Sequence, residues 1–354
     1  MKLVFFVLFP ILIFAQEKNY FYVQKDFGSV SIFNPATNII NCGFDILQSA
    51  SHTRQLDRIT LGKGLKNVWN NISDPFSNIE VFGWDKFISR EVLPLSFSLD
   101  KAQWVPNYTL HLVAGGFNFR MLYEYYNTNN YPAPMLFAST TFGVSHLLNE
   151  AVENQNYVGV NVDPIADLLI FNIAGPILFL NNDVAEFFSE TLEMADWSSL
   201  PAYNPTFGTI ENQGQHFSVR YKPNGWDSKL FYYLGDHGMV GLSIPKNENT
   251  SLTFAAGTVM KQLRTVDEVT AIRTISVDLG WIAGVFYDKE NSLLASLIFS
   301  NRINEKMKLN IYPGIFEFYN VSPGIFIHIG SNNQLVCGLM IKATPFGLAY
   351  RSQR

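Results

Sequence analysis

The sequence predicts an all-β membrane protein, an antiparallel up-and-down transmembrane β-barrel of about 12 strands, within a range of about 10 to 14, carrying a helical insert. Three observations point there. Charged residues make up 16% of the 354, against 47% apolar and 15% aromatic, which is too few for an ordinary soluble surface, where about 25% is usual. After residue 214, apolar and polar side chains alternate with period two in run after run, the signature of strands with two unlike faces. The polar alternates are Thr, Ser, Gly, His and Asn, with few Lys or Glu, as in a wall that meets hydrocarbon on one face and a lumen on the other. A net charge of −5 leaves no basic field to neutralise a row of phosphates, which argues against nucleic acid as a partner.

The N-terminus sets the compartment. Lys2 is followed by an apolar run from Leu3 to Phe14, which ends at Ala15 and switches abruptly to Gln16, Glu17 and Lys18. This reads as a signal peptide over residues 1–15, cleaved after Ala15. The only other long apolar run, Ile165 to Leu180, contains Asn172 and Pro176 and is shorter than the roughly 20 residues a spanning helix needs. A mature chain in a membrane must therefore span it as a barrel. Cys42 and Cys337 are the only cysteines; they read as two small apolar residues, although an oxidising compartment permits a disulfide.

Four segments follow the signal peptide. Residues 16–106 form an N-terminal segment with early strands and, from Gly64 to Glu91, an amphipathic stretch. Its Trp69, Phe76, Trp84 and Phe87 suit either a bilayer interface or a cap over the barrel end. Residues 107–133 read as barrel strand or strands, because Tyr108, Leu110 and Leu112 alternate with Asn107, Thr109 and His111. Residues 134–200 read as a helical insert, a plug or a periplasmic cap, whose last part carries an acidic side of Asp183, Glu186, Glu190 and Glu193. Residues 201–354 complete the barrel as a meander, with turns at Asp288-Lys289-Glu290-Asn291, at Asn301 to Asn304 and at Ser331-Asn332-Asn333, and with Asp236-His237 taken as a hairpin turn.

At the C-terminus, Phe346-Gly347-Leu348-Ala349-Tyr350-Arg351 alternates large and small residues. It resembles the terminal strand that bacterial outer-membrane barrels present to their insertion machinery, except that the chain runs on through Ser352-Gln353-Arg354. With Ser145-His146-Leu147-Leu148-Asn149-Glu150 and Asp163-Pro164-Ile165-Ala166-Asp167-Leu168 ahead of the meander, the layout is similar to uncharacterised outer-membrane β-barrel proteins of Gram-negative bacteria. The resemblance implies a location in the cell outer membrane, lipid as a partner, and the insertion machinery as a second partner through Phe346 to Tyr350. It brings no activity.

The insert holds the candidate chemistry. His146 and Glu150 are four apart and share a helix face, where an imidazole and a carboxylate serve as general acid and base or as metal ligands. Asp163 and Asp167 extend the candidate metal set, while Ser145 points about 100° away round the helix. No stock enzyme motif occurs and no cofactor is implied. Arg120, Glu124, Arg220 and Asp278 are assigned to a polar network in the lumen. The favoured function is non-enzymatic: a narrow or plugged pore, a conduit for a small solute or lipid, or a structural envelope protein. An outer-membrane enzyme acting on lipid or envelope polymer through His146 and Glu150, and a secreted soluble β-protein binding carbohydrate, are the alternatives.

Overall fold

The computed structural model describes residues 18–50, 52–94, 103–155, 157–266, 274–330, 333–342 and 344–352. The signal peptide read at 1–15, the turn residues 331 and 332 and the terminal residues 353 and 354 lie outside them. The chain divides into two compact units, one holding Thr60–Ala185 with the residues up to Tyr22 and Thr265–Ser276, the other Val23–Ile59, Glu186–Arg264 and Val277–Arg354.

The first unit is helical. The amphipathic stretch folds as α3 (Leu61–Ser73), α4 (Pro75–Phe82) and α5 (Trp84–Phe87), after α1 (Gly28–Ser31) and α2 (Pro35–Gly43) of the other unit. Pro75 occupies the first turn of α4, where its missing N–H costs nothing. A wide π-helical turn, Trp104–Ala114, runs into α6 (Gly115–Thr128), followed by α7 (Pro134–Glu153), α8 (Asp163–Ala166), a second π-helical stretch at Asp167–Phe171, and α9 (Asn172–Phe179). Residues 107–128, expected as barrel strand, are therefore helix. The alternation at 107–112 falls on the wide π-helical stretch, most of it half-buried, and α6 after it is buried on nearly every side, from Gly115 through Glu124, so it has no outward face to show its period. Close approach sets its position: a Cβ on Gly116 would stand 2.6 Å from the carbonyl oxygen of Gly175 in α9. In the same way, a Cβ on Gly64 of α3 would lie 1.8 Å from the Ala151 carbonyl of α7.

At the middle of α6, Arg120 Nε donates to Glu124 Oε1 at 2.9 Å, an i,i+4 pair in which both side chains are buried. The Glu124 carboxylate also accepts from the backbone N–H groups of Tyr20, Phe21 and Tyr22 at 2.9, 2.7 and 2.8 Å. It thereby ties the N-terminal strap to the helix, where Phe21 packs edge-on against Phe117.

The second unit is a 13-stranded, mostly antiparallel sheet in the order β1-β4-β5-β6-β7-β8-β9-β10-β11-β12-β13-β2-β3. Its body is a meander of β4 (Phe217–Tyr221), β5 (Lys229–Leu234), β6 (His237–Pro245), β7 (Thr250–Val266), β8 (Thr274–Lys289), β9 (Ser292–Ser300), β10 (Met307–Ile311), β11 (Pro323–Ile329), β12 (Leu335–Ile341) and β13 (Gly347–Arg351). The short β1 (Ala195–Asp196), β2 (Ala202–Asn204) and β3 (Thr209–Glu211) complete it. The hairpin between β8 and β9 turns at Glu290 and Asn291, both at positive φ, which matches the right-handed twist of the strands. His237, taken from sequence as part of a turn, begins β6.

By hydrogen-bond order the sheet is open, and β13 pairs with β2 in parallel, so the simple up-and-down closure expected from sequence is not what the ladder shows. Instead one strip serves both edges of the meander. Its first half lies on β4, with the Trp197 and Ser199 N–H groups donating to His216 and Gly214 oxygens at 2.8 and 3.0 Å. Its second half lies on β13, where the Gly347 N–H donates to the Pro201 oxygen at 2.8 Å. The strip is buried from Met194 to Ala202, and Trp197 meets Phe231, Tyr233 and Phe286 at ring distances of 5.5 to 6.2 Å.

The N-terminal segment of this unit packs on the same buried face. Asn34 caps α2 by accepting from the Thr37 N–H at 2.9 Å, and a Cβ on Gly28 would collide with Ser292 of β9. Arg54 sits in the middle of an alternating chain of buried charges: Arg351, Glu211, Arg54, Glu305, Arg302 and Asp236. Arg54 reaches Glu211 at 3.4 Å and Glu305 at 2.9 Å, Arg302 reaches Glu305 at 3.9 Å, and Arg351 and Arg302 pair with Glu211 and Asp236 at the two ends. The insert expected to plug the sheet, 134–200, is thus divided: residues to Ala185 belong to the helical unit, and Val23–Ile59 with the strip packs on the buried face of the sheet.

Replacing one member of a buried pair strands the other. Glu124→Ala is expected to destabilise the helical unit by about 3–5 kcal/mol, and Arg54→Ala the sheet unit by a similar amount. Denaturant unfolding of each variant followed by tryptophan fluorescence checks both.

Candidate functional site

The helical unit gathers polar side chains that its own packing does not use up. His146 and Glu150 project from successive turns of α7, Asp167 opens the π-helical stretch after α8, and His111 comes from the π-helical turn before α6. His111 Nε2 lies 3.2 Å from Asp167 Oδ2, and the nearest donor atoms of His111, Glu150 and Asp167 all fall within 4.8 Å of one another. Glu150 and Asp167 are 1% and 3% exposed. Glu91 and Asp163 are buried as well and act on the same carboxylates through their charge.

Amide side chains hold this group in place. Asn172 Oδ1 stands 3.0 Å from His111 Nδ1. Asn107 donates to the backbone and carboxylate of Glu91 at 2.8 and 3.4 Å. A relay passes from Asn71, which accepts from the Asn161 N–H at 2.8 Å, through Asn161 to Asn154 at 2.7 Å and on to the Glu150 carboxylate at 3.4 Å. Buried and without a partner are Asn107 Oδ1, His146 Nε2 and Asn172 Nδ2, while the Glu150 and Asp167 carboxyls bond to each other. His146 packs on Phe142 at a ring distance of 4.2 Å and lies 5.5 Å from the His111 ring. Ser145 Oγ donates to the Phe142 oxygen at 2.8 Å, so it is a helix-bound hydroxyl and no nucleophile for His146.

Burial and mutual repulsion set the protonation states. Burial first, then the neighbouring Asp167 and Asp163 charges, push Glu150 well above the usual carboxylate range. Burial and Asp163 do the same to Asp167, and burial with Asp163 lifts Glu91 to about 8. Burial, reinforced by His111, drives His146 well below the ordinary histidine value. Among the described residues no Lys or Arg pairs with Glu150 or Asp167. The arrangement can hold protons at neutral pH or accept a cation in their place.

Of the sequence-predicted candidates, Glu150 and Asp167 are brought together, with His146 and Asp163 beside them. Sequence reasoning missed His111, placed on a strand that is in fact helix, and Glu91. Asn172 carried a signal, being a lone amide inside an apolar run. The proposed lumen network of Arg120, Glu124, Arg220 and Asp278 does not form as one. Arg120 and Glu124 pair within the helical unit. Arg220 pairs with Asp288 through bonds of 2.9 and 3.0 Å, and Asp278 accepts from Gln262 at 2.9 Å. Cys42 and Cys337 form no disulfide.

A second cluster, His216, Asp236 and His237, lies on the buried face of the sheet. Its carboxylate is already met by Arg302, and the adjoining cavity of about 20 Å³, lined also by Lys308 and Glu305, has room for about one water.

A carboxylate whose folded value is raised stabilises the fold below its unfolded value, and that contribution is lost as pH rises through the folded one. For Glu91 the window runs from the ordinary carboxylate range to about 8. Chelator-treated protein is therefore expected to melt at least about 5 °C lower at pH 8.5 than at pH 5, and Glu91→Gln to flatten that dependence, as followed by thermal circular dichroism. No protein-family model, curated protein or solved structure matches the chain.

Proposed function

We propose that the chain is an integral outer-membrane β-barrel protein of non-enzymatic type, its wall the ten strands β4 to β13 and its interior filled, so that it acts as a structural envelope protein or as a narrow conduit. One observation carries the reading: the sheet is inside out relative to a water-soluble one. Val240, Leu242, Phe254, Leu279, Trp281, Tyr287, Leu339, Leu348 and Tyr350 are exposed. Their strand neighbours Ser243, Thr253, Asp288 and Ala349 are buried, as are Arg220, Lys308 and His328 on other strands of the meander. Water would make so continuous an apolar surface aggregate, whereas hydrocarbon suits it and leaves the charges to be paired inside.

Further support comes from a groove of about 390 Å³ on the exposed side, lined by Val240, Phe254, Ala256, Ala283, Val285 and Phe299, which has the chemistry of an acyl chain. The expected signal peptide agrees with export. Closure in this reading runs through the strip Ala195–Asn204, which bonds to β4 and β13 in turn. A soluble carbohydrate-binding protein would carry its charges on the exposed face.

The protein is expected to fractionate with the outer membrane and to migrate faster on unboiled gels. Val240→Arg, on the lipid side, is expected to cost about 2–4 kcal/mol and to abolish membrane recovery, while Ser243→Thr, an inward position on the same strand, does not. Recovery of wild type in the soluble periplasm would overturn the reading. With Trp197 and the Arg54 charge chain filling the interior, conductance in planar bilayers is expected to be low; a large steady conductance would replace the filled interior with an open pore.

A further inference from the structure

We propose that His111, Glu150 and Asp167 bind one divalent first-row transition-metal ion. Their donor atoms lie within 4.8 Å of one another, and ligands at about 2.1 Å from a shared ion are roughly 3.4 Å apart, so small side-chain rotations complete the site. The helices that carry them, α7 and the two π-helical stretches, belong to one compact unit.

Proximity of acids alone would not specify an ion; the state of His111 does. Asn172 presents its oxygen to His111 Nδ1 at 3.0 Å, and an amide oxygen can only accept, so Nδ1 carries the proton. Nε2 is turned to the Asp167 carboxylate at 3.2 Å. An imidazole nitrogen and a carboxylate oxygen at that distance share either a proton or a cation, and a divalent ion between them would take the proton's place. Orientation of a ligating imidazole by a hydrogen bond from its other nitrogen is what metal sites use. A second and separate observation agrees: His146 Nε2 is buried without a partner, which leaves donor capacity unspent at the site. The charge balance points the same way, since Glu150 and Asp167 have no Lys or Arg partner among the described residues.

The other triad makes the contrast. His216, Asp236 and His237 approach one another equally closely, but Arg302 already pairs with Asp236, and a divalent ion there would stand against a guanidinium. One imidazole with two carboxylates and no thiolate selects among ions such as Zn²⁺ and Mn²⁺, since oxygen-only cages suit Ca²⁺ and Mg²⁺.

The test uses the full-length protein in detergent, stripped with chelator, incubated with Zn²⁺ or Mn²⁺ and measured by elemental analysis after desalting. One ion per chain is expected, falling at least tenfold in Asp167→Asn and in His111→Ala, and unchanged in His237→Ala. Asn172→Leu, which removes only the positioning bond, is expected to weaken affinity by about 10–100-fold. Circular dichroism of each variant separates lost binding from lost fold, and the near-isosteric Asp167→Asn decides if His111→Ala does not fold. Substituting Co²⁺ should give a visible spectrum with nitrogen coordination that His111→Ala or Asp167→Asn removes. Less than one tenth of an ion per wild-type chain, full binding by Asp167→Asn, loss in His237→Ala, or uptake of Ca²⁺ or Mg²⁺ in preference would each overturn the proposal. None of these outcomes depends on where the protein resides.

Discussion

A charge withdrawn from water must be met by one of opposite sign, and in the sheet unit that requirement is satisfied largely by an alternating chain from Arg351 to Asp236, with Arg220 and Asp288 pairing apart from it. Its centre, Arg54, comes from the segment ahead of the sheet and not from a strand. The N-terminal residues are consequently part of the interior by electrostatic necessity. Without Arg54, Glu211 would keep only Arg351, in a medium that penalises partial neutralisation. Trp197 and Leu200 fill the apolar remainder of the same space, so the interior combines a packed core with a neutralised polar line.

The helical unit shows both possible outcomes of burying carboxylates. Glu124 is fully engaged, by Arg120 and by three backbone N–H groups, and its role is to hold the N-terminal strap. Glu150 and Asp167 sit at comparable depth with amides and an imidazole but no permanent cation. Satisfied polar groups make structure, and groups left short of partners mark the place where something else is bound. That difference, more than burial or residue type, separates the two carboxylate clusters.

Much of this was readable from residue order. The meander after residue 214 and the helices at 64–91 and 134–153 follow from period two and period 3.6, and Glu150 stood out by its spacing of four from His146, with Asp167 as an added carboxylate. The helix α6 was not readable, because from Gly115 to Glu124 it is buried all round and has no exposed face to fix its period. Arg120 and Glu124, four apart, were the available sign of helix. The site was half visible because His111 lies in the segment misread as strand, and its contact with Asp167 spans 56 residues of intervening chain that only tertiary packing closes. The strip at 195–204 was invisible, since a strand that shares its edges between two partners and is buried on both faces carries no alternation.

That strip has a consequence for how the chain assembles. Every strand from β4 to β13 pairs with its neighbour in sequence, so the meander grows by local hairpins, which form early and cheaply. The seam between β2 and β13 instead closes a loop roughly 25-fold longer than the hairpin loops, adding about 3 kcal/mol of entropic cost, and it waits until β13 is available. Until Gly347–Arg351 arrives, β12 and the strip each present a bare edge, and this interval is when one nascent chain is most open to pairing with another.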